Sequence, residues 1–84
     1  MSDKEIFRGD RSEVAEMVTR YAERFEAAGY AFRGMDSSRK SIEPYVLTVW
    51  TKGDWLIRIK QFRTWCEVAA FDGEGYLCPL HEAL

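Results

Sequence analysis

The sequence predicts an α+β fold in which one N-terminal amphipathic helix packs on an antiparallel β-sheet of three to five strands. Over residues 11–28 apolar side chains recur every three or four positions, as they do along one face of a helix. Over residues 45–78 short runs rich in β-branched and aromatic residues are separated by turns that contain glycine. The first pattern indicates the helix, and the second indicates the sheet.

The start and the end of the helix are marked by capping residues. Asp10, followed three residues later by Glu13, has the spacing of a capping box, in which each side chain accepts a hydrogen bond from a backbone N–H of the other residue. Gly29 suits the left-handed conformation that often follows a helix. Residues 1–9 are mostly polar, and we expect them to form a loose N-terminus before the helix over residues 11–28, although Ile6 and Phe7 could pin the segment to the core.

The segment between the helix and the sheet is predicted to be mostly loop. Residues 30–33 are short, aromatic and alternating, and they indicate an edge strand. Residues 35–44 contain three serines and a basic pair, which is typical of an exposed loop. Pro44 suits the position before a strand, where its missing N–H breaks no ladder hydrogen bond.

The first hairpin decides which side chains share a face, because a change of one residue in loop length flips one strand relative to the other. A three-residue loop at residues 51–53 places Trp50 on the same face as Arg58 and Lys60. A two-residue turn at Lys52-Gly53 would place both cations on the apolar face of Leu47 and Val49, where their desolvation without partners would cost several kcal/mol. We therefore predict the three-residue loop.

The next strand is predicted at residues 64–71, where small apolar side chains alternate with larger or charged ones. The charge of Glu67 assigns its face to the open side of the sheet. A four-residue turn at residues 72–75 pairs Phe71 with Tyr76 and places both on that side. The open face is thus expected to carry seven candidate partner-binding residues: Trp50, Arg58, Lys60, Trp65, Glu67, Phe71 and Tyr76.

Length and composition limit the class of protein. The 84 residues, 46% hydrophobic and 31% charged, are those of one small globular domain over residues 1–84, not of a disordered or membrane chain. No apolar run approaches the roughly 18 residues of a membrane-spanning helix. The charged N-terminus lacks the apolar core of a signal peptide, so we expect a cytoplasmic protein.

The sequence contains no pattern that indicates catalysis, a cofactor or a metal site. His81 is the only histidine, and there is no Cys-x-x-Cys or His-x-x-x-His spacing. Cys66 and Cys78 fall on opposite faces in the predicted register, too far apart for a disulfide, and both are expected to be reduced. We therefore expect a protein that is not an enzyme.

The open face is the first candidate for a function because tryptophan, tyrosine and arginine are enriched in binding hot spots. We expect a protein-binding module that inhibits or adapts a larger partner, such as a nucleic-acid-processing complex. Small proteins of this kind are common among phage and mobile-element accessory factors, anti-CRISPR proteins included. A second candidate contact is the acidic C-terminal third, which could occupy a basic groove of a partner through Glu67, Asp72, Glu74 and Glu82.

Three other interpretations stay open at this stage. The alternative function is binding of single-stranded nucleic acid, with aromatic rings for base stacking and Arg58, Lys60 and Arg63 for the backbone. The net charge of −2 and the position of Glu67 weigh against it. A homodimer could instead close through packing of two open faces. Finally, another segment could cover the face and turn its aromatic side chains into a second small core.

Overall fold

A computed structural model describes residues 3–38, 40 and 42–84, so residues 1–2 of the predicted N-terminus and residues 39 and 41 of the predicted loop lie outside the described residues. The described chain has six strands and two helices. In chain order they are β1 (Glu5–Arg8), α1 (Arg11–Ala27), β2 (Ala31–Ser38), β3 (Tyr45–Lys52), β4 (Trp55–Gln61), β5 (Trp65–Phe71), β6 (Leu77–Cys78) and α2 (Leu80–Ala83). The α+β class is confirmed, with one strand more than the largest number expected.

The sheet is antiparallel throughout. Its strand order is β1-β5-β4-β3-β2, and β6 pairs with β5 beyond the end of β1. The strands β2 to β5 form an up-and-down meander in which sequence neighbours are also hydrogen-bonded neighbours. Since α1 connects β1 and β2, which lie at opposite edges, the helix must cross one face of the sheet.

The predicted helix is confirmed to within one residue at its end. Asp10 accepts a hydrogen bond from the backbone N–H of Glu13 at 2.8 Å, and the Glu13 carboxylate accepts one from the backbone N–H of Asp10 at 3.2 Å. Gly29 follows the helix with a φ of 92°, which favours glycine. The buried side chains of α1 are Val14, Tyr21 and Phe25.

The core lies between the two helices and one face of the sheet. Phe25 of α1 is fully buried, as are Ile57 and Ile59 of β4. β5 contributes small apolar side chains at alternate positions, which lets the helix approach closely. The short helix α2 packs on the same side, and the Tyr30 hydroxyl donates a hydrogen bond to the backbone carbonyl of Ala83 at 2.7 Å.

The expectation of a loose N-terminus is wrong for residues 5–8, which form β1. Phe7 lies opposite Cys66 of β5 and packs against the core. The Tyr21 hydroxyl donates a hydrogen bond to the Glu5 carboxylate at 3.0 Å, and burial together with this carboxylate raises the pKa of Tyr21 to about 12. Ladder hydrogen bonds and one aromatic anchor therefore order a segment whose composition is polar.

The edge strand β2 is longer than predicted, because it continues through Ser38 into the segment expected to be loop. It pairs with β3 along its length, and a bulge at Arg33 lies between Phe32 and Gly34. Serine and aspartate are poor strand formers, but an edge strand exposes much of its surface to water and tolerates them. The loop to β3 therefore begins only after Ser38.

The first hairpin has a two-residue turn, Gly53–Asp54, in place of the predicted three-residue loop. Lys52 pairs with Trp55, and Trp50 pairs with Ile57. Gly53 has a φ of 55°, as the first central position of a type II′ turn requires. The side chains of β3 consequently point to the faces opposite to those predicted, and the assignment of Trp50 to the open face is wrong.

The error has a physical cause. Arg58 and Lys60 do share a face with Leu47 and Val49, as the rejected two-residue turn implied. The desolvation cost that argued against this arrangement applies only to a covered face. In the structure this face is open and the Arg58 side chain keeps 29% of its exposure, so the penalty is smaller than it would be under a helix.

Trp50 instead fills the core between α1 and β2. Its side chain is 4% exposed, and its ring packs edge-on against Phe25 and Phe32, with centroid distances of 5.3 and 5.4 Å. The indole N–H is buried and has no hydrogen-bond acceptor among the described residues. The contribution of Trp50 to stability therefore comes from packing.

The last hairpin also differs from the prediction by one residue. Phe71 pairs with Leu77 and not with Tyr76, so the turn comprises five residues. Asp72 Oδ1 accepts hydrogen bonds from the backbone N–H groups of Glu74 and Tyr76 at 2.9 and 3.0 Å. This side chain holds the wider turn and competes with the ladder pairing that a four-residue turn would allow. Tyr76 thus lies exposed in the turn and not in a strand.

Substitution of Trp50 tests the observed register. We expect Trp50→Ala to lower the free energy of unfolding by about 3 to 5 kcal/mol, the usual cost of truncating a buried aromatic residue. Trp50→Phe should cost much less, because a ring still fills the site and the unpaired N–H is removed. Val49→Ala, one residue away on the open face, is the control and should cost about 1 kcal/mol or less in chemical denaturation.

Equal costs for Trp50→Ala and Val49→Ala would contradict the register. A Trp50→Ala chain that is too unstable to fold, beside a folded Trp50→Phe chain, would agree with it. The comparison therefore distinguishes the two positions even if one variant cannot be measured at equilibrium.

Candidate protein-binding face

We call the sheet face that points away from α1 and α2 the outer face. Residues directly opposite each other in antiparallel strands share a face, and successive residues alternate. The inner face packs on the helices, and neither helix covers the outer face in the part of the chain that the structure describes. The outer face comprises Ile6, Arg8, Ala31, Gly34, Asp36, Ser38, Tyr45, Leu47, Val49, Thr51, Leu56, Arg58, Lys60, Trp65, Glu67, Ala69 and Phe71.

Five of the seven residues predicted for the open face share the outer face, and two do not. The five are adjacent across the strand pair of β4 and β5, where Lys60 lies directly opposite Glu67. Trp50 lies on the inner face, and Tyr76 lies in the turn before β6. The five residues that the structure brings together are Arg58, Lys60, Trp65, Glu67 and Phe71.

Glu67 lies at the centre of the outer face, and its side chain is only 14% exposed. Its Oε1 atom is 3.3 Å from Lys4 Nζ and 3.9 Å from Arg58 Nη2. The two cations compensate the carboxylate in a largely apolar surrounding. The Arg58 guanidinium makes no hydrogen bond to any described residue, and its Nε atom is buried. Arg58 therefore forms an ion pair with Glu67 without a hydrogen bond.

Three cations of the outer face lie over aromatic rings. The pairs, with the distance from the cation to the ring centroid, are Arg8 and Trp65 at 5.3 Å, Arg58 and Phe71 at 5.1 Å, and Lys60 and Tyr45 at 5.2 Å. Each such contact contributes roughly 0.5 to 1 kcal/mol at an exposed site. These contacts hold the cations above the sheet in defined positions.

Three aromatic side chains form a row across the ends of β3, β4 and β5, which we call the aromatic row. Phe62 stacks on Trp65 with a centroid distance of 3.9 Å and an interplanar angle of 3°, and it lies 5.3 Å from Tyr45. The Trp65 Nε1–H group donates a hydrogen bond to Glu43 Oε1 at 2.9 Å. The row is therefore rigid, and Glu43 connects it to the loop that precedes β3.

The part of the outer face near β2 contains a shallow hollow. Leu47 and Val49 form its apolar floor, and Arg33 and Asp36 lie at its border. Gly34, directly opposite Val49, contributes no side chain, and a Cβ atom there would meet nothing within 4 Å. The hollow has the size and polarity to receive an apolar side chain.

Sequence reasoning missed several residues of this face. Tyr45, Leu47 and Val49 were turned inward by the predicted hairpin loop. Phe62 precedes the strand predicted over residues 64–71, and Arg8 belongs to the N-terminus predicted to be loose. Tyr45, Leu47 and Val49 could have been found from the sequence by assuming a hairpin turn of two residues.

The acidic residues of the C-terminal third do not form one surface. Glu67 lies in the sheet between two cations. The Asp72 carboxylate is used to hold the last turn. Glu74 and Glu82 are exposed on that turn and on α2. The set expected to occupy a basic groove is thus divided among three environments.

The cysteines and the histidine show no arrangement for catalysis. His81 is exposed on α2, and Cys66 lies in the sheet opposite Phe7 and Gln61. Burial raises the pKa of the Cys66 thiol, and desolvation with the nearby Asp72 and Glu82 carboxylates raises that of Cys78. Residues 3–38, 40 and 42–84 contain no group of three or more His, Cys, Asp or Glu side chains that could hold a metal ion.

No described helix has the length and apolar character needed to cross a membrane.

Comparisons with protein-family models, with curated proteins and with solved structures found no match to this chain. The assignment of a candidate site therefore depends on the geometry of the outer face itself. That geometry combines an apolar hollow, a rigid aromatic row and three cations held over rings. These are the chemical groups that protein interfaces use as anchors.

Thiol alkylation compares two cysteines that both lie on the inner face, and not on opposite faces as predicted, because Cys78 pairs with Ala70, four residues along β5 from Cys66. We expect iodoacetamide at mildly alkaline pH to leave Cys66 unmodified in the native protein, because Cys66 is fully buried and burial raises its pKa. Cys78 is half-buried and should react faster as the pH rises, since the thiolate is the reactive form. Mass spectrometry of native and urea-unfolded samples checks both. Rapid native modification of Cys66 would contradict its position on the inner face.

Proposed function

We propose that this chain is a non-catalytic protein-binding module that holds a larger partner on its outer face, as an inhibitor or an adaptor. The observation that carries the proposal is an aromatic row beside an apolar hollow on a sheet face that no described element covers. On small proteins, apolar patches rimmed by polar groups mark interaction sites. A partner that excluded water from this face would gain the free energy of burying these side chains.

The charges on the outer face indicate the chemistry of the partner. On the outer face around β1, β4 and β5 there are more cations than carboxylates, and Glu67 is the carboxylate in this area. Asp36 lies on the edge strand β2, and Glu43 lies in the loop before β3. A complementary partner surface would carry carboxylates beside apolar side chains, and these charges would speed its association. The cations concerned are Lys4, Arg8, Arg58 and Lys60.

A protein partner fits the outer face better than single-stranded nucleic acid. Base stacking needs a free aromatic ring face. Trp65 already stacks on Phe62 and contacts Arg8, and the rings of Tyr45 and Phe71 each have a cation of the same chain above them.

Packing of two outer faces against each other is disfavoured by charge. β4 is the middle strand of the five that lie side by side, so a two-fold axis at the centre of the face would bring Arg58 and Lys60 of both copies together. Like charges opposed in an interface weaken binding by several kcal/mol. The outer face is therefore proposed to bind a different chain.

The finer parts of the proposal concern role and location. Small phage and mobile-element accessory proteins, anti-CRISPR proteins included, are the class of inhibitors to which a chain of this size compares. A basic outer face suits an acidic partner surface and not the basic groove of a nucleic-acid enzyme. We therefore do not propose that the chain inhibits a partner by imitating nucleic acid. We do propose that the chain is located in the cytoplasm.

Site-specific photo-crosslinking tests the use of the outer face. We expect p-benzoylphenylalanine at position 47, in the hollow, to cross-link a discrete protein in a nuclease-treated lysate of the source organism. The same residue at position 23, on the exposed side of α1, is the matched control and should give no such product. Adding Lys60→Glu should reduce the yield several-fold, because it reverses a charge that attracts the partner.

Arg11→Glu makes the same change in charge in the first turn of α1, where a carboxylate is favourable for the helix, and should leave the yield unchanged. The absence of a protein product at position 47, or equal products at positions 47 and 23, would contradict the proposal. A product that disappears on nuclease treatment would show binding of nucleic acid instead.

A further inference from the structure

The free edge of β2 is the long unpaired edge of the sheet, and it borders the hollow of the outer face. β2 is eight residues long and pairs with β3, and within residues 3–38, 40 and 42–84 no segment pairs with its other edge. The opposite edge of the sheet consists of β1 and β6, which are only four and two residues long. Unpaired N–H and C=O groups along a long edge strand are a template for pairing with another strand.

We propose that two copies of the chain pair through β2, antiparallel, about a two-fold axis that passes through Met35 and is perpendicular to the sheet. In such a pairing the faces of both sheets are continuous, so residues opposite each other must point to the same face. One register meets this condition along the whole strand, with Arg33 as the bulge residue in each copy. It pairs Met35 with Met35, Gly34 with Asp36, Phe32 with Ser37, and Ala31 with Ser38.

Apolar side chains on the inner side of β2 support this pairing. Phe32 is 51% exposed and Met35 is 68% exposed, although both lie on the face that packs on the helix elsewhere. At the two-fold axis Met35 would contact Met35 of the second copy. Apolar surface that the single chain exposes to water would thus be buried at the seam.

Charges on the outer side of β2 are complementary to themselves under the same axis. Arg33 Nε donates a hydrogen bond to Thr51 Oγ1 at 2.6 Å, which holds the side chain on the outer side. Asp36 is on that side too, and in the proposed register it lies opposite Gly34 and next to Arg33 of the second copy. Gly34 leaves space for the carboxylate. Two symmetric Arg33–Asp36 ion pairs would form across the seam once these side chains exchange their hydrogen bonds to Thr51 and to the Ser37 N–H of their own chain.

The proposed dimer has both α1 helices on one side of a continuous sheet and both outer faces on the other. The two surfaces share a border, since Arg33, Gly34 and Asp36 line the hollow of the outer face and also lie at the proposed seam. If both occur, two partner sites lie side by side on one assembly, which raises the avidity for a repeated or dimeric partner.

Sedimentation velocity from low to high micromolar concentration tests the pairing. We expect a concentration-dependent rise towards twice the monomer mass, with a weak dissociation constant because an edge contact is small. Met35→Lys would place two like charges at the axis and should weaken the dimer about tenfold or more. Ile6→Lys, the same change at an exposed apolar residue of β1, is the control and should leave the dimer unchanged.

A charge exchange tests the register itself. Arg33→Asp and Asp36→Arg, made singly, each place like charges across the seam and should weaken the dimer, whereas the double variant should restore it. Restoration cannot result from a general loss of stability. A monomer at every concentration, a dimer insensitive to Met35→Lys, or a double variant no better than the single variants would overturn the proposal.

Discussion

The number of residues in the β3–β4 turn, even or odd, determines which side chains meet the helix and which face outward. A turn of two residues, with Gly53 in a conformation that favours glycine, pairs Trp50 with Ile57 and directs both into the core. The same parity directs Arg58 and Lys60 to the side that no described helix covers. Because the side-chain period of a strand is two residues, one more residue in this turn would exchange the two faces of β3. The core and the outer face both depend on it.

Local signals in the sequence were sufficient for the helix and not for the ends of the sheet. Asp10 and Glu13 determine the start of α1 by contacts within one turn, so their spacing predicts it. β1 forms only because β5 offers a partner strand and the core accepts Phe7, and neither fact is visible in residues 5–8 themselves. Sheet pairing is nonlocal, which is why the extension of β2 to Ser38 was also missed.

The sequence predicted the candidate site correctly where a single residue decided which side of the sheet the neighbouring side chains of its strand occupy. Glu67 cannot be buried without partners, and this assigned the alternate positions of β5, including Trp65 and Phe71, to the open side. Trp50 and Tyr76 were misplaced because each depends on a turn whose length the sequence leaves open. For Trp50 the turn length was chosen from the desolvation free energy of Arg58 and Lys60. The size of that free energy depends on whether another element covers the face. That information exists only in the assembled fold.

The most direct test of this account is the measurement of cross-strand nuclear Overhauser effects between β3 and β4. The account predicts contacts between Val49 and Arg58 and between Trp50 and Ile57, together with slow hydrogen exchange along both strands. Contacts between Val49 and Trp55 in their place would contradict it. That register would return Trp50 to the open face, remove its ring from the core and place Val49 under the helix.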